Sequence, residues 1–328
     1  MVGSAHARYM IARAPMSDIL FIKTSSLGDV IHHMPALTEA RRHLPDARFA
    51  WVVEVAYAPL VRLHPAVNEV IPVALRQWRS AFYSPATWRE RRDAVRALDA
   101  RAYDKIIDTQ GLLKSALLVR RTRGEKHGYD RASITERLAS LVYDVRHSVS
   151  RDLHAIDRNR ILTAQSLGYV MQGVPDYGLG ALRQTAGTYA VLLHATARPE
   201  KEWPLASWIE FGRWLERDGL DLMLPWGNER ERVRAEQIAA AVPRARVTEK
   251  MPLDGVTRMI AGARFVVGVD TGLLHLGAAL GVPLVAIFRG SEPKLTGPMG
   301  PGRIEIVGSQ GETPSPVEVT AALRRVLT

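Results

Sequence analysis

The sequence of 328 residues contains no cysteine. This absence excludes disulfide bonds, thiolate metal sites and cysteine nucleophiles, and it fits a reducing compartment. No stretch approaches the run of about 20 apolar residues that a membrane-spanning helix needs. Residues 1–15 are partly basic but lack a continuous apolar segment, so they do not resemble a signal peptide. We expect residues 1–17 to form a disordered extension, with Met16 as a second candidate start of translation.

Three signatures of ligand binding are also missing. The loop after the first apolar run reads Thr24-Ser-Ser-Leu-Gly-Asp29, not Gly-x-Gly-x-x-Gly, which disfavours a dehydrogenase or an NAD-dependent epimerase. The chain has no Gly-x-x-x-x-Gly-Lys-Ser/Thr phosphate loop, and no Asp-x-Asp follows a predicted strand to hold a metal on a sugar nucleotide. We therefore expect neither an organic cofactor nor a bound metal.

The charge is strongly positive and unevenly distributed. The formal net charge is +10; residues 1–180 carry 26 Lys and Arg against 18 Asp and Glu, whereas residues 181–328 carry 18 against 16. The excess of +8 in the first half favours an anionic partner there, such as nucleic acid, anionic lipid or an acidic substrate. The alternative is that an arginine-rich composition serves solubility alone.

Apolar runs typical of buried parallel strands alternate with segments of helical periodicity along the chain. The first unit is a strand at Ile19–Ile22, a short polar loop, and apolar residues at helical spacing from Val30 to about His43. Glycine and proline cluster at 171–187, as in an interdomain linker. The predicted strands are Ile19–Ile22, Phe49–Val55, Val70–Val73, Lys105–Asp108, Tyr189–Leu193, Leu220–Leu224, Ala245–Val247, Phe265–Val269, Leu284–Ile287 and Ile304–Val307.

This alternation predicts an α/β protein with two Rossmann-like, doubly wound domains that face each other across a cleft. We place the first domain at 18–180 and the second at 181–328. The last predicted helix, Ser315–Val326, has two candidate positions: on its own sheet, or back on the first domain. The alternative fold is one large Rossmann domain with an appended lobe.

The loop after the first strand carries Asp29, directly after a glycine and at the mouth of a helix. In open α/β sheets this loop lines the ligand crevice, so an exposed carboxylate there can accept a proton from a bound substrate. The structural alternative is that Asp29 is the N-cap of a helix beginning at Val30, a role that stabilises a helix by about 1 kcal/mol.

Two loops of the second half have the features of an anion site. Thr196, Arg198 and Lys201 follow its first strand, and a hydroxyl with two cations can hold a phosphate or diphosphate. Thr271 and Gly272 open a helix after a later strand, where backbone N–H groups favour the phosphates of a nucleotide. The structural alternative for the first loop is a solvated, charged turn.

Three further residues of the second half have two readings each. His275 lies one turn into the helix that begins at Gly272, and it either points at the anion site or packs in the core. Glu229 and Glu231 occupy the first turn of another helix, where either can accept hydrogen bonds from ribose hydroxyls. The helix dipole alone also favours carboxylates there.

A basic tract follows the fourth predicted strand. It has few interleaved aromatic residues, which argues against stacking on single-stranded nucleic acid. Contact with phosphates or carboxylates of an amphiphilic substrate fits better. Within the tract we expect Arg120, Arg123 and Lys126 to bind such a substrate. The members are Arg120, Arg121, Arg123, Lys126, Arg131 and Arg137.

Four segments taken together resemble the lipopolysaccharide heptosyltransferases of glycosyltransferase family 9, which have the two-domain GT-B fold. The resemblance is specific because the segments occur in the family's order and span the chain from about Asp18 to its end. The segments are Lys23-Thr-Ser-Ser-Leu-Gly-Asp-Val-Ile-His32, Lys201-Glu-Trp-Pro204, Leu224-Pro-Trp-Gly227 and Asp270-Thr-Gly-Leu-Leu-His275.

The resemblance implies transfer of L-glycero-D-manno-heptose from ADP-heptose to a Kdo sugar of Kdo2-lipid A, with inversion by a single displacement. By position, Asp29 matches the general base. Lys201 and Thr196 match the diphosphate contacts, with Thr271 and Gly272 adding the helix start. Such groups can stabilise the leaving diphosphate without a metal.

The same resemblance assigns the rest of the donor site. Glu231 matches the ribose contact, Met251 lies where the adenine is held, and Asp270 is expected to contact the heptose with His275 alongside. The chain departs from the family at Ala197, where we expect a second hydroxyl residue, and at 289–290, where Arg-Gly replaces Gly-Pro. The departures concern the donor contacts and not the reaction.

The implied partners are ADP-heptose, Kdo2-lipid A and the anionic inner-membrane surface, with a cytoplasmic, peripheral location and no nucleic acid. The Thr-Ser-Ser-Leu-Gly-Asp loop favours the family member that adds the first heptose. The alternatives are the member that acts on the heptosylated acceptor and, from a different class, a nucleic-acid-binding α/β protein.

Overall fold

The computed structural model describes residues 17–80, 83–183, 187–217, 219–290 and 292–328. Almost all of the extension predicted at 1–17 therefore lies outside the described residues. In the described part of the chain, no helix is both long and apolar enough to cross a membrane.

The first domain is built on a parallel six-stranded sheet in the order β3-β2-β1-β4-β5-β6. β1 is central because Leu20, Phe21 and Ile22 are fully buried between two layers of helices. It pairs with β2 and β4, so that Ile22 lies opposite both Val52 and Asp108. The strands are β1 Asp18–Ile22, β2 Arg48–Glu54, β3 Glu69–Val73, β4 Ala102–Asp108, β5 Arg123–Tyr129 and β6 Val145–His147.

The second domain repeats this topology with the order β12-β11-β10-β7-β8-β9. In both sheets the strand order reverses beside the first strand, between β1 and β4 and between β7 and β10. Loops at the carboxyl ends of those strands diverge, which opens a ligand crevice. The strands are β7 Tyr189–Leu193, β8 Asp221–Leu224, β9 Ala245–Val247, β10 Val266–Val269, β11 Leu284–Ile287 and β12 Ile304–Val307.

The described helices cover both faces of each sheet. Short 3-10 turns occur at Val55–Tyr57, Arg137–Val142, Gly180–Leu182 and Pro199–Lys201. The α-helices are α1 Leu27–His43, α2 Ala58–Val61, α3 Leu75–Ser80, α4 Pro85–Asp99, α5 Leu113–Val119, α6 Ala155–Leu167, α7 Leu205–Glu216, α8 Glu229–Ala241, α9 Leu253–Gly262, α10 Gly272–Ala279 and α11 Pro316–Leu327.

The two-domain α/β fold is confirmed, and every predicted strand lies in one of the two sheets. The sequence reading gave only a possible short strand at Lys126–Asp130, where β5 lies, and it missed β6 and α6. Helix α6 packs against α1, and buried polar residues on its inner face, such as Asn159 and Thr163, interrupt the apolar periodicity that identifies a helix. The boundary at 180/181 remains a prediction. The last helix packs on α7, β11 and β12, on its own domain.

The domains touch through α1 and α10, and one hydrophobic core runs across this contact. Two glycines permit the close approach. A Cβ at Gly272 would lie 2.7 Å from Cβ of Leu27, and a Cβ at Gly28 would lie 3.3 Å from Cδ2 of His275. The start of the first-domain helix is thereby pressed against the start of the second-domain helix. A smaller core fills the far face of the second sheet around Trp203, Trp208 and Phe211.

Candidate active site

A cavity of about 670 Å³ lies at the carboxyl ends of both sheets, between the two domains. The first domain contributes the loop before α1 and the segment after β2. The second contributes the loops that follow β7, β8, β9 and β10. Residues lining it from opposite sides include Gly28, Tyr57 and Arg76, and Thr196, Glu231 and Thr271.

Asp29 lies beside this cavity as the third residue of α1, so it is not the N-cap, the role that we considered as the structural alternative. The helix begins at Leu27, and Ser26 is the N-cap. Both the backbone N–H and the hydroxyl of Ser26 donate to Asp29 Oδ2, at 2.6 and 3.0 Å. The Asp29 side chain is 41% exposed, so the carboxylate is held in place while remaining accessible to a substrate.

Lys23 lies directly behind this carboxylate, and the sequence reading gave it no role. Its Nζ donates to the carbonyl of Thr109 at 2.9 Å and lies 4.0 Å from Asp29 Oδ1. Burial lowers the pKa of Lys23, and the carboxylates of Asp29 and Asp108 oppose that shift. A lysine immediately after a buried strand was the available sequence signal.

The loops after β1 and β4 are joined at the switch point of the first sheet. Gln110 Oε1 accepts hydrogen bonds from the backbone N–H groups of Thr24 and Ser25, at 3.0 and 3.1 Å. Lys114, in the first turn of α5, donates to Ser25 Oγ at 2.6 Å. Its pKa is lowered by burial and by the charge of Arg76. The first-domain side of the cleft therefore concentrates positive charge next to Asp29.

The second domain brings together four of the predicted donor-site residues. Lys201 Nζ lies 2.5 Å from Asp270 Oδ2, and His275 Nε2 lies 3.9 Å from Asp270 Oδ1. The hydroxyl of Thr196 donates to the Asp270 carbonyl at 3.0 Å. The loops after β7 and β10 are thus joined as those after β1 and β4 are. They bring a cation, a carboxylate and an imidazole together next to Thr196 and Thr271, which line the cavity.

Two arginines hold the turn that carries Lys201. One of them, Arg289, is at a position where the chain departs from the family pattern. Arg289 donates to Thr313 Oγ1 at 2.8 Å and to the carbonyl of Glu202. Arg230 donates to Glu202 Oε1 and to the Thr196 carbonyl, both at 2.6 Å. Arg289 therefore has a structural use in this chain: it fixes the backbone next to Lys201.

Glu231 and Met251 both line the cavity. Glu231 accepts from the backbone N–H of Gly227 at 2.7 Å and from the Asn228 amide at 2.8 Å, which holds its carboxylate at the mouth of α8. Glu229, the alternative that we considered, pairs instead with Arg232 on the outer face of that helix. The structure therefore selects Glu231 as the carboxylate facing the cleft.

His194, at the carboxyl end of β7, also lines the cavity and was missed from the sequence. It is fully buried, and burial together with the charge of Arg234 lowers its pKa to about 4. His194 is therefore neutral at physiological pH. Within the described residues, no group of three or more His, Asp or Glu side chains is placed to hold a metal ion.

Arg120, Arg123 and Lys126, which we expected to bind the acidic acceptor, are not among the residues that line the cavity. Arg120 caps the carboxyl end of α5, and Arg123 begins β5, so both lie at the amino edge of the sheet. Arg123 is paired with Asp99 at 2.9 Å, and Lys126 lies 4.0 Å from Asp144. The expectation rested on charge alone, which does not indicate the edge of a sheet to which a residue belongs.

A family model and individual protein sequences that are similar to this chain point to the same family. The family model described as glycosyltransferase family 9 (heptosyltransferase) matches residues 91–323. Lipopolysaccharide heptosyltransferase 1 of Escherichia coli (strain K12) is 45% identical over 289 residues, which cover 86% of this chain and 91% of that protein. Lipopolysaccharide heptosyltransferase 2 of Salmonella typhimurium is 27% identical over 86% of this chain and 85% of that protein.

Two solved structures also resemble this chain over most of its length. The E. coli heptosyltransferase WaaC with ADP has a TM-score of 0.89 at 41% identity, covering 94% of this chain and 99% of that chain. The same enzyme with ADP-2-deoxy-2-fluoro heptose has a TM-score of 0.86 with the same identity and coverage.

Proposed function

This chain belongs to glycosyltransferase family 9, the heptosyltransferases, and we propose that it transfers L-glycero-D-manno-heptose from ADP-heptose to a Kdo sugar of Kdo2-lipid A during assembly of the lipopolysaccharide core. The observation that carries this proposal is the pairing of two sites across one cavity. The Asp29 carboxylate belongs to one domain, and the cluster of Thr196, Lys201 and Asp270 belongs to the other.

The second domain supplies the donor site. WaaC structures are described with ADP and with an ADP-heptose analogue, so ADP is the nucleotide we expect in the cavity. Glu231 is placed to accept hydrogen bonds from the ribose, and Met251 provides an apolar contact for the adenine. The backbone N–H groups at the start of α10 and the Lys201 ammonium face the diphosphate.

The first domain supplies the base. As the acceptor hydroxyl attacks the anomeric carbon of heptose, its proton passes to Asp29, and the bond from that carbon to the diphosphate oxygen breaks. The electron pair stays on the departing ADP, where Lys201 and the α10 N-terminus stabilise the added charge. Base and leaving group lie on opposite domains, which suits a single displacement with inversion.

Acceptor binding is assigned to the first-domain wall of the cleft. Arg76 and Tyr57 line the cavity, and Lys114 lies beside Ser25 in the adjoining loop. Guanidinium and ammonium groups suit the carboxylates of Kdo and the phosphates of lipid A. These residues replace Arg120, Arg123 and Lys126 in our account of the acceptor site.

The excess positive charge of residues 1–180 supports a peripheral position on the anionic, cytoplasmic face of the inner membrane. Flotation with vesicles tests this part. The protein is expected to float with vesicles containing phosphatidylglycerol, to stay behind with phosphatidylcholine alone, and to be released by salt. Equal flotation with both lipids would contradict the electrostatic account.

The decisive experiment is an assay of the purified protein with ADP-heptose and two acceptors. We expect mass spectrometry to detect one added heptose on Kdo2-lipid A and none on an acceptor that already carries the first heptose. The reverse preference would identify the activity of the second transferase. Transfer to neither acceptor, together with retardation of an oligonucleotide at moderate salt, would support the nucleic-acid-binding alternative instead.

A further inference from the structure

Two histidines from different domains meet where α1 crosses α10. His32 Nε2 and His275 Nδ1 are 3.2 Å apart, and the two rings lie edge to face with centroids 4.7 Å apart. Both side chains are buried. This hydrogen bond joins the base-bearing helix to the helix whose N-terminus faces the nucleotide cavity.

Each histidine is connected to one half of the reaction site. His32 lies one helical turn after Asp29 on α1. His275 lies one turn after Thr271 on α10, with its Nε2 atom 3.9 Å from Asp270 Oδ1, and Asp270 in turn pairs with Lys201. A continuous chain of contacts therefore runs from the helix of the proposed base to the cation of the proposed diphosphate site.

A third histidine fixes the surroundings. His154, at the N-terminus of α6, lies 5.6 Å from the His32 ring, and its Nε2–H donates to the Gly297 carbonyl of the second domain at 3.1 Å. The amide of Asn159 donates to the His32 carbonyl at 3.1 Å. His32 is thus enclosed by α6 on one side and by α10 on the other.

We propose that the His32–His275 hydrogen bond is the positioning contact that sets the distance between the Asp29 carboxylate and the diphosphate site, and that it is broken by protonation. The inference rests on the proposed function, because it gives that contact a place in heptose transfer. His32 acts through the helix that carries Asp29. His275 connects that helix to the start of α10, in addition to the place beside the heptose that the resemblance implies for it.

We expect the contact to be sensitive to acid because of the number of protons that it can hold. Between two neutral imidazoles one N–H donates and the other nitrogen accepts, so the contact holds a single proton. Burial at this contact disfavours the charged form of His32, so the ring takes up a proton more readily when the domains separate, and acid favours the separated arrangement.

The groups that face His32 are mostly cationic or neutral. His154 on α6, Lys23 on the β1 loop and His275 on α10 disfavour its charged form, whereas Asp270 after β10 favours it. Burial is the largest cause, and together these effects lower the pKa of His32 well below its ordinary value of 6.5. Folding around a neutral His32 therefore loses stability as the pH falls below that ordinary value, when the unfolded chain binds the additional proton.

Conservative variants separate positioning from mere packing. Glutamine places an amide near the position of Nε2, so His32→Gln keeps a hydrogen-bonding group that does not titrate, whereas His32→Ala removes it. We expect His32→Ala to lower kcat about 10- to 100-fold with little change in ADP affinity, the size of effect expected when the reacting groups are misplaced by about 1 Å. His32→Gln should keep most of the activity at neutral pH.

The pH profile gives the second kinetic readout. In the wild type, kcat should fall as the pH is lowered because protonation of His32 opens the contact. In His32→Gln this fall should be weaker, because residue 32 no longer titrates. His43→Gln is the matched control, since His43 lies at the end of the same helix, stacked on Tyr169 and away from α10. That variant should keep the wild-type profile.

A measurement that needs no substrate tests the histidine contact separately from the proposed function. Because the chain has no cysteine, Arg121→Cys and Gln237→Cys provide one unique labelling site on each domain for two spin labels. In the otherwise wild-type protein the distance distribution should be narrow at pH 7.5 and should broaden and lengthen at pH 5. With His32→Gln it should stay narrow at both values, and with His32→Ala it should be broad at both.

The outcomes are distinct. Unchanged distance distributions and unchanged kcat in His32→Ala would overturn the inference, as would wild-type acid broadening in His32→Gln. If the wild type transferred no heptose while the distances behaved as expected, the proposed function would fail and the histidine contact would stand as a property of the fold.

Discussion

The ammonium group of Lys201 lies 2.5 Å from Asp270 Oδ2, across the loops that follow the two strands at the switch point of the second sheet. The pair is largely shielded from solvent, with side-chain exposures of 15% and 16%. A diphosphate placed at this loop therefore competes with Asp270 for the same cation. If Lys201 binds the donor diphosphate as proposed, this competition links donor binding to the orientation of Asp270.

The two partners should respond differently to substitution. Lys201→Met should lower kcat about 100- to 1,000-fold, because the developing charge on the leaving ADP loses its cation. Asp270→Asn should bind ADP more tightly, by about threefold to tenfold, because Lys201 loses its competing anion, while heptose transfer falls. ADP titration by calorimetry and steady-state assays check both results. Lys294→Met, at an exposed lysine of the same domain, is the control. Weaker ADP binding by Asp270→Asn would contradict the competition.

Asp29→Asn should abolish most turnover without loss of fold or of ADP affinity. The amide oxygen can still accept from the Ser26 N–H group, so the start of α1 is kept, but it cannot take the acceptor proton. We expect kcat to fall about 100- to 10,000-fold, the usual contribution of a general base. Asp46→Asn, on the exposed loop after α1, should behave as wild type. Retention of most activity by Asp29→Asn would remove Asp29 from the base role.

Lys23→Met tests whether the buried cation supports the base. Methionine fills a similar volume, but the ionised Asp29 carboxylate loses the positive charge 4.0 Å away. We therefore expect kcat to fall about tenfold at neutral pH, because the carboxylate loses the ammonium group that helps to hold it in place. Lys105→Met removes another partly buried lysine of the same domain, one that donates to the Ser166 carbonyl. An equal fall in kcat in both variants would rule out the specific role of Lys23.

Acceptor binding should depend on the cleft and not on the opposite edge of the sheet. We expect Arg76→Gln and Lys114→Gln each to raise the acceptor KM about tenfold, because each loses one charge-assisted contact to the acceptor. Arg123→Gln should leave it unchanged, since Arg123 pairs with Asp99 at the amino edge. Initial rates at varied acceptor concentration provide the measurement. A larger effect of Arg123 than of Arg76 would restore the basic tract as the acceptor site.

His64 should make the first domain sensitive to acid. Its Nδ1 accepts from the backbone N–H of Ala66 at 3.2 Å, and its Nε2 lies 3.1 Å from Thr38 Oγ1, a neutral arrangement that protonation of Nδ1 disrupts. Burial lowers the pKa of His64 to about 4 from 6.5. The unfolded chain therefore binds more protons between these values, and stability falls as the pH is lowered through them.

The expected loss attributable to His64 is about 3 kcal/mol across that interval. Urea unfolding at a series of pH values measures it. His64→Asn, which can still accept from Ala66, should weaken the pH dependence by that amount relative to wild type, while His43→Gln, at an exposed position, should not. An unchanged dependence in His64→Asn would show that the acid sensitivity comes from other groups.

The sequence by itself determined the fold class and the chemical types present at the site. Buried apolar runs such as Ile19–Ile22 are local signals, because a strand covered on both faces requires apolar residues at every position. The segments around Asp29, Lys201 and Asp270 were likewise found from their place after such strands. Parallel strands align their carboxyl ends, so residues following different strands of one sheet are brought to one edge.

Only the tertiary structure decided which side chains meet across the two domains. The start of α1 at Leu27, the Lys23–Asp29 contact, the bracing role of Arg289 and the contact of His32 with His275, 243 positions away, all depend on packing between distant segments. Local periodicity carries no information about such contacts, because helix-on-helix packing is set by shape and burial across the whole interface. The position of Arg123 outside the cleft has the same cause. The charge of a residue can be read from the sequence, whereas the sheet edge on which the residue lies is a property of the fold.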